Sequence, residues 1–298
     1  MSRFKYYGLH HYYPRLKRFL GTKMVAYLRL CRPFTVAPAF VAGLFLTLAS
    51  TEISLEAFRA ALDAGVVLAL LQATGQIVNQ VVDAELDRSL PGKRDRPIPS
   101  GLVERDEAMG LAWVFSIVAL ARAFTLGLTF GLLSLVILFM AVFYSLRPFS
   151  PRGHAIISLT WQAFSRGFLP PILCFSIYKT PYDALPISML AFTWCLGWQG
   201  TKDITDVEGD RAFGIKTVAN THGLKGLKAL SIASSMMFTV EIIVLKKLMF
   251  LAVVPLALYG LLNYERKSTS MENTVSWLVF YLGLGLCFLI PFVGRIIG

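Results

Sequence analysis

Two acidic motifs of similar spacing are the clearest chemical feature of this 298-residue sequence. Residues 76–88 read QIVNQVVDAELDR and residues 199–211 read QGTKDITDVEGDR. At an offset of 123 residues the motifs share a glutamine, three acidic positions and an arginine, and a lysine follows each at the same distance. Such a match in charged and amide residues predicts a local internal repeat. The carboxylates in it are candidates for binding a cation.

Helical geometry predicts that each motif forms one polar stripe. At about 100° per residue, the polar residues of the first motif fall within an arc of about 80°, and those of the second within about 60°. The first stripe consists of Gln72, one turn before the motif, and Gln76, Asn79, Asp83 and Asp87, and the second of Gln199, Asp203, Asp206 and Asp210. A polar stripe on an apolar helix is expected to face a protein interior or a water-filled cavity.

Three interpretations explain why the acids gather, because clustered carboxylates repel one another unless they are compensated. In the first, the acids form salt bridges with neighbouring bases. In the second, they line a proton or cation pathway, and in the third they bind a divalent metal. The flanking bases favour the metal interpretation. A diphosphate needs both kinds of group, because the acids bind Mg²⁺ ions that contact the diphosphate and the bases bind its remaining phosphate oxygens. These bases are Lys93, Arg94, Arg96, Lys202 and Lys216.

The composition predicts that an all-α, polytopic membrane protein positions these motifs. Hydrophobic residues make up 55% of the chain and charged residues 16%, and the mean hydropathy is +0.60. Soluble surfaces need about a quarter of their residues charged. Nine apolar stretches are close to the roughly 20 residues that span a bilayer. They cover about 31–50, 61–82, 107–126, 128–145, 155–178, 184–201, 227–245, 248–264 and 275–294.

The positive charges predict how the chain is oriented. The net charge is +11, and 22 of the 29 lysines and arginines fall on one side of the nine stretches. This asymmetry predicts a multi-pass cell-membrane protein with its N-terminus in the cytoplasm and its C-terminus outside. Residues 1–30 are expected to form a cytoplasmic or interfacial segment, and residues 31–298 the membrane domain. Both motif loops, about 83–106 and 202–226, then lie on the cytoplasmic side, where the site is expected to open.

The repeat predicts the arrangement of the helices. The two motifs end the second and sixth apolar stretches, which are four crossings apart and therefore run in the same direction. We interpret this as a parallel repeat of four helices with a ninth helix added.

The paired motifs and their flanks resemble the UbiA superfamily of intramembrane prenyltransferases. The resemblance covers about residues 25–294. It rests on Asn79-x-x-x-Asp83-x-x-x-Asp87 with Lys93 and 96–101 (RPIPSG), on Lys202-Asp203-x-x-Asp206-x-x-Gly209-Asp210 with 214–217 (GIKT), on 32–35 (RPFT), and on Tyr144-Ser145. The chain departs from the family at Gln80, where many members have an aspartate.

The resemblance implies a central cavity, surrounded by nine helices, in which two Mg²⁺ ions bind the diphosphate of an isoprenyl donor. Asn79, Asp83 and Asp87 would hold one ion, and Asp206 and Asp210, with Asp203 as a further ligand, the other. The catalytic group is therefore Asp83, Asp87, Asp206 and Asp210. The diphosphate contacts would come from Lys93, Arg147, Lys202, Tyr144 and Ser145. Further candidate substrate contacts are Arg32, Arg96, Lys216, Arg166, Gln76 and Gln199.

The implied reaction is ionisation of an allylic diphosphate, followed by attack of a lipophilic acceptor on the carbocation-like centre. Aromatic faces can stabilise such a cation. Candidates are Phe34, Phe143, Tyr144, Trp161, Phe164, Phe168, Trp194 and Trp198. A quinone-precursor aromatic and geranylgeranylglyceryl phosphate are favoured equally as acceptors, ahead of a tetrapyrrole.

A secondary transporter with a carboxylate-lined ion site is the alternative function. The position of the acids at helix ends, away from the bilayer midplane, argues against it. Membrane lipid is an expected partner and nucleic acid is not, and the pattern does not indicate how many copies of the chain assemble.

Overall fold

The computed structural model describes residues 13–90, 93–146, 148–267 and 274–297, with side chains from residue 21 onward. The described chain is helical, and its only extended pairing is one isolated bridge between Lys267 and Thr274. The α-helices are α1 (Tyr13–Cys31), α2 (Pro33–Ala49), α3 (Leu55–Val82), α4 (Ala84–Ser89), α5 (Arg105–Thr125), α6 (Leu128–Phe143), α7 (Ala155–Ala163), α8 (Leu169–Phe175), α9 (Leu185–Trp198), α10 (Val207–Ala212), α11 (Val218–Thr221), α12 (Gly223–Val244), α13 (Val254–Leu262) and α14 (Val275–Ile297). Shorter helical turns are Pro151–Gly153, Phe164–Phe168, Pro181–Ala184, Gln199–Thr205 and Leu248–Val253.

Each of the nine apolar stretches coincides with one of these helices or with a chain of helical pieces. The all-helical, multi-pass prediction is therefore confirmed, whereas the count of nine crossings and the four-helix repeat remain predictions. Among the described residues, four helices (α3, α5, α12 and α14) are by themselves long and apolar enough to cross a bilayer. A fifth span is possible if the bent pair 21–31 and Pro33–Ala49 is counted as one.

The chain bends by 60° between α1 and α2. Arg32 has a left-handed backbone at the bend (φ 52°), and Pro33 begins α2. Proline is well suited to the first turn of a helix, where its missing N–H is not needed. The last part of α1 belongs to the helical core, because Val25, Ala26 and Leu30 are buried against neighbouring helices. Helix α1 ends at Cys31, and the expected boundary between residues 30 and 31 remains a prediction.

Helix α3 is the central helix of the site, and small residues let its neighbours come close. A Cβ added to Gly43 of α2 would lie 2.4 Å from the backbone nitrogen of Gly65 of α3, so these two backbones are in contact. The other end of α3 is tied to α1, since Gln80 donates a hydrogen bond of 2.6 Å to the carbonyl oxygen of Leu30. Gln80, at which the chain departs from the resemblance, thus has a structural contact of its own.

We predict that Gly43→Ala lowers the thermal stability of the protein in detergent. The new methyl group has no space between α2 and α3, and overpacking of this kind costs about 1–3 kcal/mol. Gly110→Ala is the matched control. Gly110 lies in α5 with nothing within 4 Å of an added Cβ, so the melting temperature should stay the same or rise slightly. Equal melting temperatures for the two variants would contradict the close packing of α2 on α3.

Candidate active site

Each acidic motif places an aspartate at the junction of two helical pieces. Asp83 lies between α3 and α4, and Asp206 lies between the turn Gln199–Thr205 and α10. Their backbones are alike, with φ and ψ of −86° and 5° at Asp83 and −110° and 4° at Asp206. The amide of Asp87 donates to the carbonyl of Asp83 at 2.8 Å, and that of Asp210 to Asp206 at 2.9 Å. The motifs thus share a local fold as well as a sequence.

The prediction that each stripe runs along one continuous α-helix is wrong. The first helix ends at Val82, so Asp83 and Asp87 belong to a junction and a separate short helix. The segment Gln199–Thr205 is a 3₁₀ helix. With three residues per turn, positions three apart lie on one side of a 3₁₀ helix. This tighter turn brings Asp203 and Asp206 to the same side without α-helical spacing.

Residues of both motifs line one cavity that is open to solvent. Thirteen of the candidate residues line it: Arg32, Gln76, Asn79, Asp83, Asp87, Lys93, Arg96, Tyr144, Arg166, Lys202, Asp203, Asp206 and Asp210. The deeper wall is apolar and includes Leu68, Leu71, Ile137, Leu284 and Phe288. The cavity therefore joins a charged end to an apolar end.

Three other candidates do not line the cavity. Ser145 accepts a hydrogen bond of 3.2 Å from the side-chain amide of Asn79. Gln199 is fully buried and donates to the side-chain oxygen of Gln162 at 2.6 Å. The side chain of Lys216 is exposed to solvent, unlike its repeat partner Lys93, which is buried. A fourth candidate, Arg147, lies outside the described residues.

Four of the cavity acids have basic partners, and the longest of these ion pairs joins Lys202 to Asp203 at 4.0 Å. Lys93 pairs with Asp206 at 3.2 Å, which joins the loop after the first motif to the second motif. Arg96 pairs with Asp87, and both side chains are buried. These contacts correspond to the salt-bridge interpretation of the motifs. They also place bases where a diphosphate held by the same acids would need them.

Arg152 is the site residue that sequence reasoning missed. Its guanidinium group donates two hydrogen bonds, of 2.7 and 2.9 Å, to the carboxylate of Asp83, and its side chain is largely buried. In the sequence it lies in the loop after α6 and counts only as one more positive charge on the predicted cytoplasmic face. The turn Pro151–Gly153 carries it and follows Tyr144 by a few residues, but this proximity to a motif position does not by itself show that the side chain reaches Asp83.

Tyr144 is the centre of a polar cluster beside the acids. Its hydroxyl accepts a hydrogen bond of 2.8 Å from Gln162 and lies 3.2 Å from the hydroxyl of Ser158. The side-chain cations of Lys202 and Arg152 lie 5.7 and 5.9 Å from the centre of its ring. Within about 6 Å, a cation is attracted to the face of an aromatic ring. The ring thus lies where positive charge is favoured.

The aromatic side chains that reach the cavity differ from most of those expected. Of the eight predicted candidates, only Tyr144 and Trp161 line it. Trp194 and Trp198 are fully buried and stack on each other, so they belong to the core. Sequence reasoning did not include Trp277 and Tyr281 of α14, which complete the aromatic wall.

The cavity has the kind of oxygen ligands that Mg²⁺ binds, but these ligands are not already arranged around a metal position. Within the described part of the chain, no three acidic, histidine or cysteine side chains lie close enough together to hold a metal ion as they stand. The acids nevertheless offer only hard oxygen ligands. Mg²⁺ commonly binds one or two carboxylates and takes its other ligands from water and substrate phosphates. The carboxylates of Asp83 and Asp87 and those of Asp206 and Asp210, which line one cavity, suit this mode.

Burial of the second motif changes its protonation. Burial raises the pKa of Asp210 to about 7, and the negative charges of Asp203 and Asp206 add to the effect. Burial likewise raises the pKa of Asp203 to about 6, although Lys202 opposes the shift. Both residues thus take up protons below neutral pH, at values where an exposed aspartate stays ionised.

The helical fold and the apolar spans define a multi-pass membrane protein, and its cavity is lined by both acidic and basic side chains. Comparison with known proteins gives the family. The model of the UbiA prenyltransferase family matches residues 35–282. The chain belongs to this family, which confirms the resemblance seen in the motifs.

Relatives in the family are named for different reactions. Digeranylgeranylglyceryl phosphate synthase of Methanoregula boonei is 35% identical over 166 residues, covering 53% of this chain and 56% of the relative. A 4-hydroxybenzoate octaprenyltransferase of Thiobacillus denitrificans is 31% identical over 163 residues, covering 54% of each chain. The chain thus matches little more than half the length of these two relatives.

A solved structure shares the fold over nearly the whole chain. It is that of a UbiA homologue from Archaeoglobus fulgidus bound to DMAPP and Mg²⁺. The two chains superpose with a TM-score of 0.67 over 90% of this chain and 98% of the homologue, at 19% sequence identity. At this identity the likeness establishes the fold.

We predict that metal binding is linked to proton release. Asp210 and Asp203 must lose their protons to bind a cation, so Mg²⁺ affinity should fall as the pH drops from about 7.5 to 5.5. At pH 6.5, pKa values of about 7 and 6 imply release of about one proton per protein molecule when both residues bind metal. Calorimetry with Mg²⁺ in two buffers of different ionisation enthalpy measures this number. Asp210→Asn should reduce it, and identical heats in the two buffers would contradict the linkage.

Proposed function

We propose that this protein transfers an isoprenyl group from a prenyl diphosphate to a lipophilic acceptor within the membrane, with two Mg²⁺ ions in the donor site. The ion pair between Lys93 and Asp206 carries the proposal, because it brings both acidic motifs and their bases to one cavity. DMAPP and Mg²⁺ in the related Archaeoglobus fulgidus structure support a diphosphate and a metal as ligands.

The charged end of the cavity is the proposed diphosphate site. Asp83 and Asp87, oriented with the help of Asn79, would hold one Mg²⁺, and Asp206 and Asp210, with Asp203 as a further ligand, the other. When bound, the metals neutralise the diphosphate and make it a better leaving group. Arg152, Arg96 and Lys93 now pair with the acids. We propose that they exchange these partners for phosphate oxygens, so that the buried charges stay compensated throughout.

The apolar end of the cavity would receive the isoprenyl chain. Its allylic carbon then lies near the aromatic faces of Tyr144 and Trp161. The C–O bond to the diphosphate breaks, and the diphosphate leaves with the electron pair. A carbon or oxygen atom of the acceptor supplies the electrons for the new bond and then loses a proton. The ring of Tyr144 already attracts two side-chain cations, which is the property needed to stabilise positive charge on the allyl group.

Arg166 supports an acceptor with an anionic group. It lines the cavity from Phe164–Phe168, a five-residue π-helix in the fifth apolar stretch. Such π-helical turns are frequent at functional sites. Gly167 fixes the turn against α9, since a Cβ there would lie 2.5 Å from the carbonyl oxygen of Ala191. Among the described residues Arg166 has no carboxylate partner within 4 Å, so an arginine inside the bundle remains available to a ligand.

The two relatives are consistent with this requirement without choosing between acceptors. 4-Hydroxybenzoate carries a carboxylate, and geranylgeranylglyceryl phosphate carries a phosphate. Both are anions that an arginine binds well. We keep both as candidate acceptors, and we retain the orientation predicted from the lysines and arginines, with the charged end of the cavity opening to the cytoplasm.

The donor site is tested by paired substitutions within each motif. Asp87→Asn and Asp210→Asn should each weaken Mg²⁺-dependent binding of geranylgeranyl diphosphate about 100-fold, because each removes a charged metal ligand. Glu85→Gln and Glu208→Gln are matched controls, since these acids of the same motifs are exposed and should change the Kd less than twofold. Binding of labelled donor to protein in detergent provides the measurement. If all four variants bind like the unsubstituted protein, the proposed donor site is wrong.

The acceptor site is tested by Arg166→Gln in a prenyl-transfer assay. Loss of a charged hydrogen bond should raise the KM for 4-hydroxybenzoate or geranylgeranylglyceryl phosphate about 10- to 100-fold, with the Kd for the donor unchanged. Arg166→Lys should recover part of the loss. Arg122→Gln is the control, because Arg122 lies in α5 and pairs with Asp63 away from the cavity. An unchanged KM for every anionic acceptor would exclude this role for Arg166.

A further inference from the structure

A second groove lies at the end of the helical bundle opposite the acidic motifs. It is formed where α2, α8, α12 and α14 end and α9 begins. Its basic members are Lys179, Lys246 and Lys247. We propose that this groove binds the headgroup of an anionic phospholipid from the leaflet at that end of the protein. The proposal does not depend on the function of the central cavity.

The concentration of positive charge is the first observation behind this site. Only five basic residues lie on the predicted outer face of the chain, and three of them line the groove. A fourth, Arg295, donates to the carbonyl oxygen of Ala49, which also lines the groove. Four scarce charges from three separate parts of the sequence therefore converge at one place.

The lysines of the groove are not compensated by the chain itself. They are exposed, and within the described residues no carboxylate lies within 4 Å of their ammonium groups. One acid, Asp183, faces the same groove. Its carboxylate is engaged by Thr180, through the backbone amide at 3.0 Å and the hydroxyl at 2.8 Å. The groove therefore has a net positive charge that can attract an anion.

Backbone strain at Lys246 is the second observation. This residue has a left-handed conformation with φ 54°, one of only two non-glycine residues with positive φ among those described. For a residue with a long side chain this conformation costs about 1–2 kcal/mol. The strained turn between α12 and the following 3₁₀ helix presents Lys246 and Lys247 together at the groove. Strain of this kind is often found at ligand sites.

The apolar walls favour a lipid over free phosphate. Phe175, Ile187 and Phe250 are buried beneath the lysines, while Leu248 and Met249 remain 61% and 43% exposed at the edge. A phosphate bound by the lysines would place its acyl chains along these residues. Tyr178 and Tyr182, both exposed, lie in the same loop region and suit a membrane interface. An anionic headgroup with an apolar tail matches both surfaces of the groove.

The test uses the full-length protein with Lys179→Gln and Lys247→Gln combined, which removes one charge from each side of the groove. Native mass spectrometry measures retention of phosphatidylglycerol after delipidation and titration. Each basic residue near a membrane surface contributes about fivefold to the binding of anionic lipid. The double variant should therefore bind phosphatidylglycerol about 30-fold more weakly. The control Arg59→Gln with Lys225→Gln removes the same charge outside the groove and should bind like the unsubstituted protein.

Phosphatidylcholine and inorganic phosphate complete the test. Weak retention of phosphatidylcholine and no competition from millimolar inorganic phosphate are expected if the groove recognises an anionic lipid. Effective competition by inorganic phosphate would identify a free-anion site and overturn the proposal. Equal loss of phosphatidylglycerol in both double variants would also overturn it, because the effect would then come from net charge alone. Melting temperatures of the two variants show whether both are folded.

Discussion

Compensation of buried charge is the constraint on which the rest of the structure depends. Carboxylates that would repel one another lie inside an apolar bundle, and Arg152, Arg96 and Lys93 each neutralise one of them. Removing one partner of a buried ion pair costs about 3–5 kcal/mol, because it leaves a charge without compensation. A ligand can open these pairs only if it offers both signs of charge. A diphosphate with its metal ions does so, which connects the arrangement to the proposed reaction.

The helical architecture brings these partners together from distant parts of the chain. Asp83 and Asp206 end longer helical segments at similar junctions, so the carboxylates project from irregular backbone. Lys93, in the loop after the first motif, pairs with Asp206 of the second motif, and Arg152 pairs with Asp83 from a third segment of the chain. Close packing of α2 on α3 at Gly43 keeps this wall of the cavity in place. The site is therefore a property of the assembled bundle, and an isolated motif would not form it.

Sequence reasoning predicted the helical membrane class, the family and the two motifs, because charge spacing and hydropathy are local signals. Thirteen candidate residues line the cavity for that reason. It failed where tertiary packing determines whether a side chain reaches the cavity. Lys216 matches Lys93 in the repeat but is exposed, since the loop after the second motif turns that side chain outward. Arg152 has no motif of its own, and its role is visible only when the third segment reaches Asp83. The 3₁₀ turn at Gln199–Thr205 likewise has no clear signature in the sequence.

The exchange of partners at the carboxylates is the central claim, and a structure with donor and metal tests it most directly. Crystals or cryo-EM grids would be prepared with Mn²⁺, in place of Mg²⁺, and a non-hydrolysable geranylgeranyl diphosphate analogue. We predict two metal peaks, one beside Asp83 and Asp87 and one beside Asp206 and Asp210, with Arg152, Arg96 and Lys93 turned from these acids to phosphate oxygens. If the three ion pairs stay intact and the diphosphate lies elsewhere, the account is contradicted.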